Sequence, residues 1–110
     1  MNLLEKIKGI IQVRCLSTEI SYEEAIKIIT EHPETVLIDV RSKQEFNEGH
    51  LNGAICIPVY DINKINQIVK NRDNIIILYC QTGTRSKKAA RILANLCYTN
   101  VYTIRKGLDC

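Results

Sequence analysis

The chain has 110 residues, 45% of them hydrophobic and 25% charged, the composition of one globular domain that buries its own core and has no room for a second. Its net charge of +3 suits a small anionic substrate and is too weak an excess for nucleic acid. The five cysteines (Cys15, Cys56, Cys80, Cys97, Cys110) are widely spaced, without a CxxC pair and with only His32 and His50 beside them; this argues against a disulfide scaffold or a metal site and for a reducing cytoplasm.

In chain order, residues 1–17 read as an N-terminal amphipathic extension, with Leu3, Leu4, Ile7, Ile10 and Ile11 at helical spacing among Glu5, Lys6 and Lys8. The interrupting charges leave no continuous apolar region for a signal peptide. Packing on the domain or on a partner fits this segment better than a membrane surface, because it carries few basic residues. No apolar run approaches the roughly 20 residues that span a bilayer.

From residue 18 to residue 110, short apolar runs alternate with helical ones. "SYEE" at Ser21 to Glu24 is a capping box that opens a helix through Ala25, Ile28 and Ile29. "VLIDV" at Val36 to Val40 reads as a buried strand, and "SKQEF" at Ser42 to Phe46 repeats the capping box. "AICIP" is a second strand stopped by Pro58. Ile62, Ile65, Ile68 and Val69 predict a helix before a third strand, "IIILY" at Ile75 to Tyr79; a helix from Ser86 to Leu96 and a strand, "VYTI", at Val101 to Ile104 follow. Near-continuous apolar strands separated by helices predict an α/β domain with a mostly parallel central sheet covered by helices on both faces. Ligands of such sheets sit at the carboxyl ends of the strands.

"YCQTGTRS", Tyr79 to Ser86, lies at such an end. The third strand delivers Cys80 to the sheet's edge, and the following helix directs its free N–H groups and positive dipole end at the sulfur, favouring the thiolate. Gly83 allows the positive φ that a loop needs to curl its amides toward one point. Arg85 adds a planar cation suited to an oxyanion. Lys87 and Lys88 place two more cations at a helix start, where the dipole disfavours them unless an anion binds there. Gln81, Thr82 and Thr84 read as loop-shaping residues, and Ser86 as the first residue of the helix. Cys56, inside a strand, and Cys97, closing an apolar helical face with Leu93, read as core cysteines. Nothing in the spacing ties His50 to Cys80, and a structural role fits it better.

These residues resemble the rhodanese family of persulfide-forming sulfurtransferases. "LIDVRSKQEFNEGHLNGAICIP" from Leu37 to Pro58 is similar to the family's first signature, with Asp39, Arg41, Glu45, Phe46, Gly49, His50, Gly53, Ala54 and Pro58 in their places. "YCQTGTRSKKAARIL" is similar to its active-site loop and helix, and "VYTIRKGL" to its final strand and turn. Asn52 stands where the family often carries proline, Lys106 replaces the first glycine of a common pair before Gly107, and the last packing element looks shortened. The resemblance implies Cys80 as the sulfur-carrying nucleophile, Cys80 to Ser86 as the loop around it, and Asp39 and Arg41 as structural support. It implies double displacement: sulfane sulfur passes from a small anionic donor such as thiosulfate to Cys80, then to cyanide, a thiol or a sulfur-accepting protein, with Arg85 helped by Lys87 or Lys88 and with no cofactor. Four residues separate cysteine from arginine here, against five in related phosphatases and arsenate reductases, so this ring is a narrower cradle than theirs. A noncatalytic or sulfur-relay interaction module on the same fold is the alternative.

Overall fold

The computed structural model describes residues 17–105 and Leu108. The N-terminal extension, except for its last residue, lies outside the described residues, as do Cys15, Lys106, Gly107 and Cys110. The described elements are β1 (Thr18–Ile20), α1 (Tyr22–Glu31), β2 (Val36–Asp39), α2 (Lys43–Glu48), β3 (Ile55–Cys56), a 3-10 helix (Val59–Gln67), β4 (Ile76–Tyr79), α3 (Thr84–Asn95) and β5 (Val101–Ile104).

The five strands form one sheet in the order β1-β5-β4-β2-β3, and every pairing is parallel. β4 is central because its run is the most apolar: Ile76, Ile77, Leu78 and Tyr79 are all 0% exposed, as expected of a strand covered on both faces. Each such side chain contributes roughly 1.5–3 kcal/mol by leaving water. One face carries Ile38, Val40, Ile76, Leu78 and Cys80 against Ala89, Ala90 and Leu93 of α3 and Ile62 and Ile65 of the 3-10 helix. The other carries Ile20, Leu37, Ile77, Tyr79 and Ile104 against Ala25, Ile28 and Ile29 of α1. Three layers with helices on both faces are the α/β architecture the alternating runs predict.

Both capping boxes form: Ser21 Oγ accepts from the Glu24 amide in α1, and Ser42 Oγ from the Glu45 amide in α2. Four details differ from the sequence reading. β1 forms on the edge of the sheet beside β5, where no strand is legible, because "TEI" is short and carries one buried residue. "AICIP" yields only the two residues of β3. The segment before β4 winds as a 3-10 helix, with Ile62 and Ile65 buried three residues apart, the period of that helix; Ile68, past its end, is 55% exposed. Cys97 is exposed rather than in the core. It follows the last turn of α3 with φ 71°, donating to Ala94 O while the next amide, of Tyr98, reaches Leu93 O, so it occupies the left-handed position that ends many helices. Tyr98 takes the buried place instead, its hydroxyl donating to Val69 O.

Candidate functional site

β2 continues toward β3 on one side and β4 toward β5 on the other, so the chain switches direction at the carboxyl ends of β2 and β4, the crevice where open α/β sheets place ligands. Cys80 stands there, immediately after β4, 1% exposed. Val40 donates to Tyr79 O on one side of it, and the Leu108 amide donates to the Cys80 carbonyl.

The chain then curls through Gln81 and Thr82 to Gly83, whose φ of 98° is the left-handed conformation that a glycine adopts without strain. α3 begins at Thr84 with Gly83 as its cap residue, no side-chain cap and no acidic residue in its first turn. The sulfur of Cys80 takes the missing role. It accepts the Gly83 amide at 3.0 Å and the Ser86 amide at 3.4 Å. These are the N-cap and N3 amides of the helix, the two donors that serine and glutamate share in the capping boxes of α1 and α2. One sulfur therefore stands in for both side chains, at the positive end of the helix dipole. Ser86 Oγ lies 3.6 Å from it and donates to Gly83 O at 3.0 Å. Thr82 and Thr84 are exposed on the rim, their hydroxyls 3.4 Å apart, and Gln81 is half-buried.

Arg85 does not stand free beside the sulfur. Its guanidinium grips Glu45 with two parallel bonds, Nη1 to Oε1 at 2.7 Å and Nη2 to Oε2 at 3.0 Å. The same carboxylate accepts the Ser42 amide and hydroxyl at the start of α2. Arg85, then the Ser42 amide, hold the Glu45 pKa down at about 2, and Glu45 in turn raises that of Arg85. The loop's cation is thus paired with a carboxylate and tied to α2. Glu45 as the partner of Arg85 escaped the sequence reading: its capping-box role already accounted for it, and forty residues of separation carry no periodic signal.

Behind this rim lies a second, buried ion pair. Arg41 donates from Nε to both Asp39 oxygens and from Nη2 to Asp39 Oδ2 at 2.8 Å, and its Nη2 reaches Gly49 O at 2.6 Å. Asp39 is 0% and Arg41 5% exposed. The bond to Asp39 raises the Arg41 pKa further. Asp39 ends β2, beside Tyr79 of β4, so the pair braces the turn after β2 against the strand that delivers Cys80. The Tyr79 hydroxyl accepts the Leu51 amide at 3.0 Å, and burial pushes its pKa up to about 12. His50 stacks on Phe46 with ring centroids 3.7 Å apart and its Nδ1 2.9 Å from Phe46 O, a structural placement. Cys56 is half-buried, its thiol directed at Arg41 O, and burial raises its pKa.

The two lysines diverge. Lys87 pairs with Glu19 of β1 at 3.0 Å, a contact that turns it away from Arg85. Lys88 lines a groove between α3 and the 3-10 helix. Cys80, Gly83 and Ser86 therefore meet at the sulfur, Arg85 at the rim with Glu45, and the lysines elsewhere. Among the described residues no group of three or more His, Cys, Asp or Glu side chains is placed to hold a metal ion, and no helix is long and apolar enough to cross a membrane.

Comparison with known proteins agrees with this fold. Residues 21–109 match the family model of the rhodanese-like domain. The chain is 28% identical over 88 residues to a tRNA uridine(34) hydroxylase of Erwinia tasmaniensis, a match that covers 76% of this chain and 25% of the hydroxylase; it thus spans about a quarter of that protein's length. It is 29% identical over 91 residues to a sulfurtransferase of Allochromatium vinosum, covering 82% of this chain and 83% of that one. Among solved structures, the reduced CoADR-RHD of Bacillus anthracis superimposes with a TM-score of 0.71 at 30% identity, covering 83% of this chain and 16% of that one. With its parallel sheet, its cysteine at the carboxyl end of the central strand and this match over most of its length, the chain belongs to the rhodanese-like domain family.

Proposed function

We propose that the domain is a sulfurtransferase that carries sulfane sulfur on Cys80, taking it from a small anionic donor such as thiosulfate and passing it to cyanide or a thiol. The observation that carries this reading is the single sulfur that accepts both the N-cap and N3 amides of α3. Two oriented N–H groups and the positive end of the helix dipole meet at the atom through which charge must pass during sulfur transfer.

The Cys80 thiolate attacks the outer sulfur of thiosulfate. The S–S bond of the donor breaks, its electron pair leaves with sulfite, and a new S–S bond makes the Cys80 persulfide. The amides of Gly83 and Ser86 remain on the inner sulfur, and the outer sulfur extends into the ring of Cys80 to Arg85. Arg85, held in plane by Glu45, presents its cation at the rim to the departing anion. In the second half an acceptor attacks the outer sulfur, the S–S bond breaks, and its electron pair leaves with the Cys80 sulfur, which faces the Gly83 and Ser86 amides. The four-residue spacing to Arg85 favours this chemistry over phosphate-ester hydrolysis or arsenate reduction, since the ring holds one sulfur more readily than a tetrahedral oxyanion.

Intact-mass spectrometry tests the reading. After thiosulfate the protein gains one sulfur atom, cyanide removes it, and Cys80→Ser gains none. A folded wild-type protein that gains no sulfur refutes it. A second reading, a sulfur-relay or interaction module in a reducing cytoplasm, draws on the match to only a quarter of the tRNA uridine(34) hydroxylase; under it a protein partner, rather than cyanide or a small thiol, accepts the sulfur.

A further inference from the structure

A groove lies between α3 and the 3-10 helix. It has a volume of about 360 Å³ and is lined by Val59, Tyr60, Ile62, Asn63, Lys88 and Ile92, within the range of small-molecule sites. Its walls are tied to the sulfur's surroundings. The Val59 amide donates to Val40 O, and the Val40 amide to Tyr79 O, the residue before Cys80. Two strand spacings put the head of the groove roughly 10 Å from the cysteine. On the other wall Arg85, Lys88 and Ile92 share one face of α3, and Lys88 lies about 6 Å along the axis from the first helical residue. Ile62 and Cys80 belong to one packed cluster, with Val59 and Ile92 against it.

The lining has two kinds of chemistry. Tyr60 is 74% exposed, a flat ring at the groove's edge that no core contact accounts for, and it stands with Val59 and Ile92 as an apolar wall. Lys88 pairs with no carboxylate among the described residues, unlike Lys64, which holds Asp61, and Lys87, which holds Glu19. A cation beside an apolar wall fits a ligand with an anionic end and an apolar body. Cyanide and thiosulfate can meet the cation but have no apolar body to lie on the wall.

We propose that this groove binds the acceptor: an organic thiol whose carboxylate meets Lys88, whose apolar body lies on Tyr60, Val59 and Ile92, and whose sulfur reaches the loop. This rests on the sulfurtransferase reading. The acceptor thiolate attacks the outer sulfur of the Cys80 persulfide. The inner S–S bond breaks with its electron pair going to Cys80, and the acceptor leaves as its own persulfide, so no oxidant or reductant is consumed.

The test uses two probes that differ by one carboxylate, 4-(mercaptomethyl)benzoate and phenylmethanethiol, each discharging thiosulfate-loaded protein under single-turnover conditions. The wild type saturates with the carboxylate at a lower concentration than with the neutral thiol. In Lys88→Ala that preference falls about tenfold, the magnitude of one lost charge-assisted hydrogen bond, and in Tyr60→Ala half-saturation rises severalfold for both. A preference that survives Lys88→Ala, or half-saturation indifferent to Tyr60→Ala, overturns the proposal. Unloaded protein provides a readout that needs no sulfur chemistry: 4-methylbenzoate shifts the backbone amide resonances of Tyr60, Asn63 and Lys88, and Lys88→Glu abolishes those shifts. Shifts without sulfur loading leave the groove standing and remove the sulfurtransferase reading; loading without shifts does the reverse.

Discussion

Glu45→Gln separates the two jobs of the rim carboxylate. The amide keeps an oxygen for the Ser42 backbone, so the cap of α2 survives in part, while the charge that grips Arg85 is gone. In the folded protein the Glu45 pKa falls from an ordinary 4.5 to about 2, which at 1.36 kcal/mol per pH unit bounds the contribution at about 3 kcal/mol. Both partners are about a third exposed, 37% for Arg85 and 34% for Glu45, so solvent screening reduces the expected value to about 1 kcal/mol. The sign follows from the depressed pKa: the stabilisation is fully present above pH 4.5 and is lost as pH falls toward 2. Urea unfolding of wild type and Glu45→Gln at pH 7, 4.5 and 3 measures it. The variant is less stable by about 1 kcal/mol at pH 7, and the gap narrows by pH 3. A gap that stays constant across the range refutes the claim that the ionised carboxylate, rather than the cap, is what the loop draws on. In thiosulfate turnover the variant frees Arg85 and loses its orientation together, so kcat falls more than KM.

The remaining predictions probe the same frame. Cys80→Ala leaves the Gly83 and Ser86 amides without their acceptor, and urea unfolding should record a loss of about 1 kcal/mol, the cost of a deleted helix cap. Arg41→Met strands the fully buried Asp39 and removes the donor to Gly49 O; a loss of about 3–5 kcal/mol is expected, and a loss under 1 kcal/mol would show the pair dispensable. Cys97→Gly relieves the left-handed backbone at φ 71° and should raise stability by about 0.5–1 kcal/mol after the added freedom of the unfolded chain. Thr103 is 1% exposed and its hydroxyl has no hydrogen-bond partner, so Thr103→Val should stabilise by about 1 kcal/mol in thermal and urea unfolding.

What was legible in the sequence is what local physics repeats. The capping boxes at Ser21 and Ser42, the apolar run of β4 and the turn-forming Gly83 each announce themselves within a few residues, and they place Cys80 at the start of a helix. β1 escaped because three edge residues with one buried side chain carry no periodicity. The 3-10 helix was located but not typed, since Ile62 and Ile65 satisfy either period. Cys97 misled for a related reason: it continues the apolar face of α3 in sequence, yet the helix has already ended and the chain turns left-handed there. The ion pairs divide in the same way. The resemblance alone points to Asp39 and Arg41 as structural support; Glu45 and Arg85 are brought together only by the packing of α2 against the loop.

The three helix starts explain why the cysteine and the amides around it are readable although the Glu45 partner of Arg85 is not. Each helix must satisfy its N-cap and N3 amides, and α1 and α2 do so with a serine and a glutamate three residues apart. α3 has neither, and a helix opening on Gly-Thr-Arg-Ser without a capping acid leaves two donors aimed at whatever precedes it. Only the Cys80 sulfur accepts both among the described residues. Under the proposed sulfur transfer, structural need and chemistry share one atom: the sulfur that caps α3 is the one that carries the cargo. A Cys80 persulfide, as proposed, would keep the inner sulfur in place as the cap, so that sulfur is loaded and discharged without unwinding the helix. That predicts the same circular dichroism spectrum and the same protection of the Ser86 amide from hydrogen exchange, within about twofold, before and after thiosulfate. Loss of that protection on loading would mean that the inner sulfur leaves the cap, and the account of how the loop holds its cargo would fail with it.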